Sequence, residues 1–347
     1  MIRLKDIAEK ANVSVMTVSK ALRNARDISH STRSRIQAIA QELGYVPDAM
    51  AQSLRTGATK LIGLVIPSVT NPIFGRVVLA IQDRAHELGY EIILAHSANS
   101  EDREFSTVLK LIARRVDGLI ISPVPRMDPN AKAFDELLKQ KIPTVILGQR
   151  SPFCSRFPGV ESDDLESSYS ATQHLLGLGH RQIAFLAGPS ASPSALERLN
   201  GYKRALRESG VELDDRVVFH AGATVEDGER AALLMVNEGA QFTAIIAVND
   251  LVAIGAANTF LKQGLLIPRD FSIIGFGNTL VSENFKVPLS TIGLPKYALG
   301  EVAMETLIKC IHGESPETRR LPAQLVIRES SGPAPFCPPL PSGIQNE

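Results

Sequence analysis

The chain has only three cysteines, Cys154, Cys310 and Cys337, far apart and in no metal-ligand spacing. That pattern implies no metal centre and ordinary reduced thiols of a cytoplasmic protein. No apolar run is long enough to span a bilayer, and the N-terminus opens on helix-forming polar sequence rather than an export signal. Catalytic signatures are missing as well. No GxGxxG follows a strand, and there is no Walker lysine loop, HExxH or Ser-His-Asp set; Gly275-Phe276-Gly277-Asn278 lacks the third glycine. The expectation is a non-enzyme that needs no cofactor and no metal.

Net charge is also absent, but only in the sum. Residues 1–60 carry 10 Lys and Arg against 5 Asp and Glu, so of the 37 of each in the chain the remainder holds 27 against 32. A modestly basic head on an acidic body suits a small nucleic-acid module joined to a sensor.

That head carries the sharpest pattern. In Leu4–Leu22, Ile7, Ala8 and Ala11, then Val18, Ala21 and Leu22, recur at helical spacing, giving two short helices with one apolar side each. Asn12 stands at the corner between them, where φ > 0 is expected, and Ser14 is placed to cap the second helix. A third helix is predicted from about Ser31 to Leu43, with Gly44 as its terminator. This is a helix-turn-helix, whose second helix enters a major groove. Burying Val18, Ala21 and Leu22 turns Val15, Met16, Ser19 and Lys20 outward with Thr17 at the margin. Val15 and Met16 suit thymine methyls, and Lys20 suits guanine or phosphate. The competing account is a small helical bundle whose exposed Val and Met meet another protein.

The run Lys5-Asp6-Ile7-Ala8…Asn12-Val13-Ser14…Thr17-Val18-Ser19-Lys20-Ala21-Leu22 resembles the start of a bacterial repressor of the lac/purine/galactose (LacI–GalR) family. The likeness continues through Leu43-Gly44-Tyr45-Val46-Pro47, Ser53-Leu54-Arg55-Thr56-Gly57, Asn71-Pro72-Ile73-Phe74, Leu178-Gly179-His180-Arg181, Arg198-Leu199-Asn200-Gly201-Tyr202 and Asn249-Asp250 to Ile327-Arg328-Glu329-Ser330. It covers nearly all of residues 2–330 in order. The resemblance implies a homodimer on a pseudo-palindromic operator in double-stranded DNA, controlled by a small-molecule effector, with no membrane partner.

Between Pro47 and Gly57 a short helix is expected, too short to persist alone. The resemblance makes it a hinge that pairs with its twin in the minor groove, where Leu54 wedges between base pairs beside Ala51 and Arg55. A polar linker with Leu54 packed on its own body is the alternative. Asp48 and Gln52 replace the family's usual Asn and Arg, which weakens attraction to phosphate. Arg3 replaces a usual Ser or Thr cap of the first helix.

From Leu61 onward, short apolar runs alternate with amphipathic stretches, a βαβ rhythm that repeats once. The fold class expected is therefore an all-α helix-turn-helix head plus an α/β body of two doubly wound parallel-sheet lobes, which the resemblance makes periplasmic-binding-protein-like. The divisions are 1–46 for the head, 47–60 for hinge and linker, and 61–330 for the body. The resemblance implies crossings near Val160, Ser290 and Pro322, hence a first lobe of about 61–160 and 291–322 and a second of about 161–290 and 323–330. Residues 331–347, with five prolines, read as a disordered tail without a leucine heptad.

Ligands of such folds lie in the cleft at the carboxyl ends of the strands. Candidate effector contacts are Asn71, Ile73 and Phe74 after the first strand, and Ser192, Ser194 and Arg198 as a polyol or oxyanion clamp. Asn249 ends a strand, and Asp250 is expected to cap the following helix. Where sugar-binding relatives place two carboxylates, this chain has Gly148 and Gly277, with Gln149 and Asn278 beside them. Their loss would leave Arg198 facing less negative charge, so a sugar, a sugar derivative or an anionic one is expected. Two rivals stand apart from a repressor: a solute-binding protein feeding a transporter or receptor, and an α/β enzyme with an accessory DNA module.

Overall fold

The computed structural model describes residues 2–46 and 57–335, which fall into two compact units divided between Thr59 and Lys60. The first unit holds α1 (Leu4–Ala11), α2 (Val15–Leu22) and α3 (His30–Glu42). Its core is Ile7, Ala8, Ala11, Val18, Ala21, Ile36 and Ala40, the apolar faces expected from the helical spacing. Asn12 takes φ 51° and ψ 49°, the left-handed geometry the corner requires. The Ser14 Oγ accepts from the Thr17 amide at 3.1 Å and starts α2. Arg3 brings no capping acceptor to α1. Asp6 compensates by reaching back, its carboxylate accepting from the Arg3 amide at 2.7 Å. Gly44, at φ 66°, ends the third helix.

The second unit contains two six-stranded sheets. The first runs β11-β5-β4-β3-β1-β2, built from β1 (Leu61–Ile66), β2 (Glu91–His96), β3 (Gly118–Ile121), β4 (Thr144–Leu147), β5 (Gly159–Ser162) and β11 (Arg319–Leu321), all paired parallel. Helices α4 (Ile73–Glu87) and α12 (Lys296–Ile311) cover one face of it. The helices α5 (Glu101–Ala113) and α6 (Lys132–Lys139) cover the other.

The second sheet runs β12-β10-β9-β8-β6-β7. Its strands are β6 (Ile183–Ala187), β7 (Val218–His220), β8 (Ala244–Ala247), β9 (Ser272–Phe276), β10 (Ser290–Gly293) and β12 (Gln324–Val326), parallel except for β10 with β12. One face packs α7 (Asp164–Gly177) and α8 (Pro193–Glu208), the other α9 (Val225–Asn237) and α10 (Asp250–Lys262). A four-residue α11 (Leu280–Glu283) follows β9.

The chain passes between sheets three times, and two passages differ from expectation. Ser290–Gly293 pairs with β9 and β12, so it belongs to the second lobe and the chain leaves only at Leu294. Gly159–Ser162 stays in the first sheet through pairing with β4 and β11, placing the first passage at Asp163. Each of these strands is only four residues long and runs within a few residues into a helix, Asp164–Gly177 or Lys296–Ile311, so no long loop marks where its sheet ends. The third passage falls at Pro322 and Ala323, between β11 and β12.

The tail expected to be disordered is ordered through Pro335. The Gly332 carbonyl accepts from His180 Nε2 at 3.0 Å and Ser272 Oγ at 3.1 Å, and the Ala334 amide donates to Leu178 at 3.0 Å. Proline content suggested an open tail, but buried His180 and Ser272 supply partners for its backbone. The residues after Pro335 lie outside the described ones.

Candidate effector cavity and DNA-reading helix

On α2, burying Val18 and Ala21 leaves Val15 44% and Met16 69% exposed. Thr17 and Ser19 are half-buried. Thr17 Oγ1 lies 2.8 Å from Ser14 Oγ, and the Ser19 carbonyl accepts from Arg23 Nε at 2.8 Å. Lys20 is ion-paired to Asp27, whose carboxyl is held below the usual range mainly by that hydrogen bond. Ala51, Leu54 and Arg55 of the expected hinge lie outside the described residues, as do Asp48 and Gln52.

In the body, the carboxyl ends of the strands meet around a cavity of about 540 Å³, a size typical of small-molecule sites. Asn71, Ile73, Phe74, Gln149, Ser192, Ser194, Arg198 and Asn249 all line it. Gly277 and Asn278 do not. Their carbonyls each accept from Lys296 Nζ at 2.5 Å, and Asn278 Oδ1 accepts from Arg328 Nη2 at 2.7 Å. The turn after β9 therefore serves lobe contact, because its backbone oxygens point at a buried lysine of α12. Burial also pushes the Lys296 ammonium below the usual lysine range.

The expected oxyanion clamp is corrected by a carboxylate that sequence spacing did not reveal. Asp164 Oδ2 accepts from Arg198 Nε at 3.1 Å and Nη2 at 2.9 Å, and Asp164 Oδ1 accepts from Ser162 Oγ at 2.5 Å. Arg198 Nη1 donates to the Val248 carbonyl at 2.5 Å, and the guanidinium lies 3.7 Å from the Phe276 ring centroid. Two guanidinium N–H bonds remain for a ligand, but the charge is already compensated.

Asp227 also borders the cavity. It accepts from the Ala223 and Thr224 amides at 2.9 and 3.0 Å and pairs with Arg230. Among the described residues the wall contains no Lys, Glu or His. The two described carboxylates, Asp164 and Asp227, and the Arg198 guanidinium on that wall thus have partners of opposite charge.

Ser192 caps α8, its Oγ accepting from the Ala195 amide at 3.4 Å and lying 3.0 Å from Ser194 Oγ. Asn249, not Asp250, caps α10: its Oδ1 accepts from the Val252 amide at 2.8 Å, while Nδ2 donates to the Ala223 carbonyl at 2.9 Å. Asp250 is buried instead. It accepts from the Thr279 amide and hydroxyl at 2.8 and 3.0 Å and from Thr291 Oγ1 at 2.5 Å. Sequence could not choose between adjacent Asn and Asp, since the buried partners come from the distant turn after β9, through Thr279, and from β10, through Thr291.

Taken together, these features define a class: a two-lobed ligand-binding body joined to a helix-turn-helix head. Residues 59–329 match the profile of periplasmic binding proteins and the sugar binding domain of the LacI family, and residues 3–48 match that of bacterial regulatory proteins of the lacI family. The chain belongs to the LacI family of bacterial regulatory proteins; it is a DNA-binding transcriptional regulator, not an enzyme. It is 31% identical to the HTH-type transcriptional regulator DegA of Bacillus subtilis, over 94% of this chain and 97% of that one. It is 30% identical to the HTH-type transcriptional repressor CytR of Escherichia coli K12, over 96% and 97%. The lac repressor dimer bound to operator and the anti-inducer ONPF superposes with a TM-score of 0.86 at 29% identity, covering 95% of this chain and 98% of that one. The complex of the regulator CelR with cellobiose gives a TM-score of 0.72 at 27% identity, covering 95% and 100%. No helix among the described residues is long and apolar enough to cross a membrane.

Proposed function

We propose that the protein is a cytoplasmic, homodimeric repressor that reads a pseudo-palindromic operator and is switched by an uncharged, hydroxyl-bearing effector. Val15, Met16, Thr17, Ser19 and Lys20 read the major groove, and Leu54 with Ala51 and Arg55 opens the minor groove between half-sites. The effector is a sugar or sugar derivative held by Asn71, Gln149, Ser192, Ser194, Arg198 and Asn249 and stacked against Ile73 and Phe74. Closing the lobes on it changes the spacing of the paired heads. A preference of about 1–3 kcal/mol for one lobe arrangement is enough to change operator occupancy.

One observation carries the reading of the effector: the cavity wall is charge-compensated, Arg198 by Asp164 and Asp227 by Arg230. Burying a phosphate or carboxylate there would require an unpaired cation, so the anionic alternative loses its support. The test has two parts. Duplexes selected by the purified chain from a random pool, then assayed by gel shift at stated salt, should show paired half-sites. Titration calorimetry should show that neutral sugars such as cellobiose or ribose bind and phosphorylated sugars do not. A chain that ignores duplex DNA at low salt is no repressor, and tight binding of a sugar phosphate alone overturns the effector class. The rival solute-binding reading has the cavity in its favour but leaves exposed Val15 and Met16 unexplained.

A further inference from the structure

Glu197 lies on α8, one residue before Arg198, and is not among the residues lining the cavity. It reaches across to the first lobe. Its Oε2 accepts from Gln149 Nε2 at 2.9 Å, and its Oε1 accepts from Arg320 Nη2 at 2.8 Å. Gln149 follows β4 and does line the cavity. Its second Nε2 hydrogen goes to the Ser162 carbonyl at 2.6 Å. Gln149 Oε1 is left with a single distant donor, Arg320 Nη2 at 3.5 Å.

The chemistry of the partners decides which way that amide faces. A backbone carbonyl and an ionised carboxylate can only accept, so both must meet the amide nitrogen. The oxygen is then the atom with free capacity. Remove the negative charge from Glu197 and one of the two constraints disappears, because a neutral carboxyl or amide can donate to the oxygen instead.

We propose that Glu197 is a positioning residue of the effector site: it locks the Gln149 amide so that its oxygen is offered to the ligand. This rests on reading the cavity as the effector site. It makes the site select an effector that donates a hydroxyl or amino hydrogen at that point. Gln149 and Glu197 come from different lobes, so the bond between them presets the amide in the lobe arrangement of this structure, before an effector enters.

The lock is maintained at an energetic cost. Burial raises the Glu197 carboxyl above the usual range, and this outweighs the lowering by Arg320; Asp164 and Glu161, the other charges facing it, push in the same direction as burial. The expected signature of Glu197→Gln is therefore a lost orientation with a melting temperature unchanged or slightly higher.

The experiment uses the ligand-free full chain labelled with ¹⁵N-glutamine, the Gln149 side-chain signals being assigned through Gln149→Asn. At neutral pH the Gln149 amide protons should exchange about tenfold more slowly than those of exposed glutamines, as expected for a charge-assisted bond. That protection should fall in Glu197→Gln to the level the Ser162 carbonyl alone provides. In the unsubstituted chain it should fall in the same way on acidification at a pH above that of an ordinary glutamate, and Glu197→Asp should weaken it. An unprotected Gln149 amide, or one equally protected in Glu197→Gln, overturns the proposal. No ligand is needed, so that failure leaves the effector reading standing. A cavity that binds no small molecule would instead leave the protected amide in place while removing its role.

Discussion

Asp164 and Arg198 form a bidentate pair to one carboxylate oxygen, at 3.1 and 2.9 Å, with their side chains only 1% and 10% exposed. The pair lies on the cavity wall, so it sets both the stability of the second lobe and the charge a ligand meets. Breaking one member leaves the other buried and uncompensated, at a cost of about 3–5 kcal/mol. Asp164→Asn should therefore lower stability by about that amount in urea unfolding. It should also give the cavity an affinity for inorganic phosphate, seen as a rise in melting temperature with phosphate that the unsubstituted chain lacks. Replacing both residues by apolar ones of similar volume should recover much of the lost stability.

Close helix packing gives a second prediction. Gly201 sits where α8 crosses α7, and a Cβ there would lie 2.2 Å from the Leu165 carbonyl oxygen and 2.9 Å from the Tyr169 nitrogen. Neither backbone atom can yield without moving a helix. Gly201→Ala should cost about 1–3 kcal/mol despite the better helix propensity of alanine. Calorimetry should show a melting transition lowered by several degrees; an unchanged transition would mean that the two helices separate freely.

Helical spacing in the head identified Ile7, Ala8, Ala11, Val18 and Ala21 as one core, because each helix buries a face set by its own period. The alternation of short apolar runs with amphipathic stretches from Leu61 onward is the alternation of strands and helices in the two parallel sheets. The pairing of Asp164 with Arg198 was hidden by a separation of 34 residues in the chain. Nothing local distinguishes an acidic residue at a helix start that faces solvent from one that neutralises a distant arginine. Three-residue strands such as Arg319–Leu321 were equally silent, since they exist only through the sheets they complete.

Histidine burial gives a pH dependence. His180 is fully buried, and its Nε2 must donate to the Gly332 carbonyl at 3.0 Å, which leaves Nδ1 to accept from Thr243 Oγ1 at 2.9 Å in the neutral ring. Burial lowers its pKa from the ordinary 6.5, as it does for His174. With the folded value depressed, the unfolded chain binds the proton more readily. The neutral ring's contribution is therefore complete above the unfolded value and is lost as pH falls below it. Unfolding free energy measured between neutral pH and pH 5 should decline with acid. His180→Gln should flatten that decline in part, leaving the share due to His174.

The head offers a prediction about salt. Lys20 is paired with Asp27 on the exposed side of α2, the side chains being 38% and 56% exposed. A pair this exposed is worth little in water, so Lys20 can exchange Asp27 for a phosphate or a guanine edge at small cost. With α2 in a groove, Asp27 would remain nearby as a negative charge beside the DNA. Asp27→Asn should therefore raise DNA affinity at low salt, whereas Lys20→Ala should lower it. If Lys20 contacts phosphate, its removal should reduce the slope of log affinity against log salt by about one. Val15→Ala with Met16→Ala should alter base preference while leaving that slope unchanged, because methyl contacts release no counterions. Gel shifts across a salt series separate the three cases. A slope that changes with Val15 and Met16 but not with Lys20 would mean that α2 does not lie in the groove as its exposed face suggests.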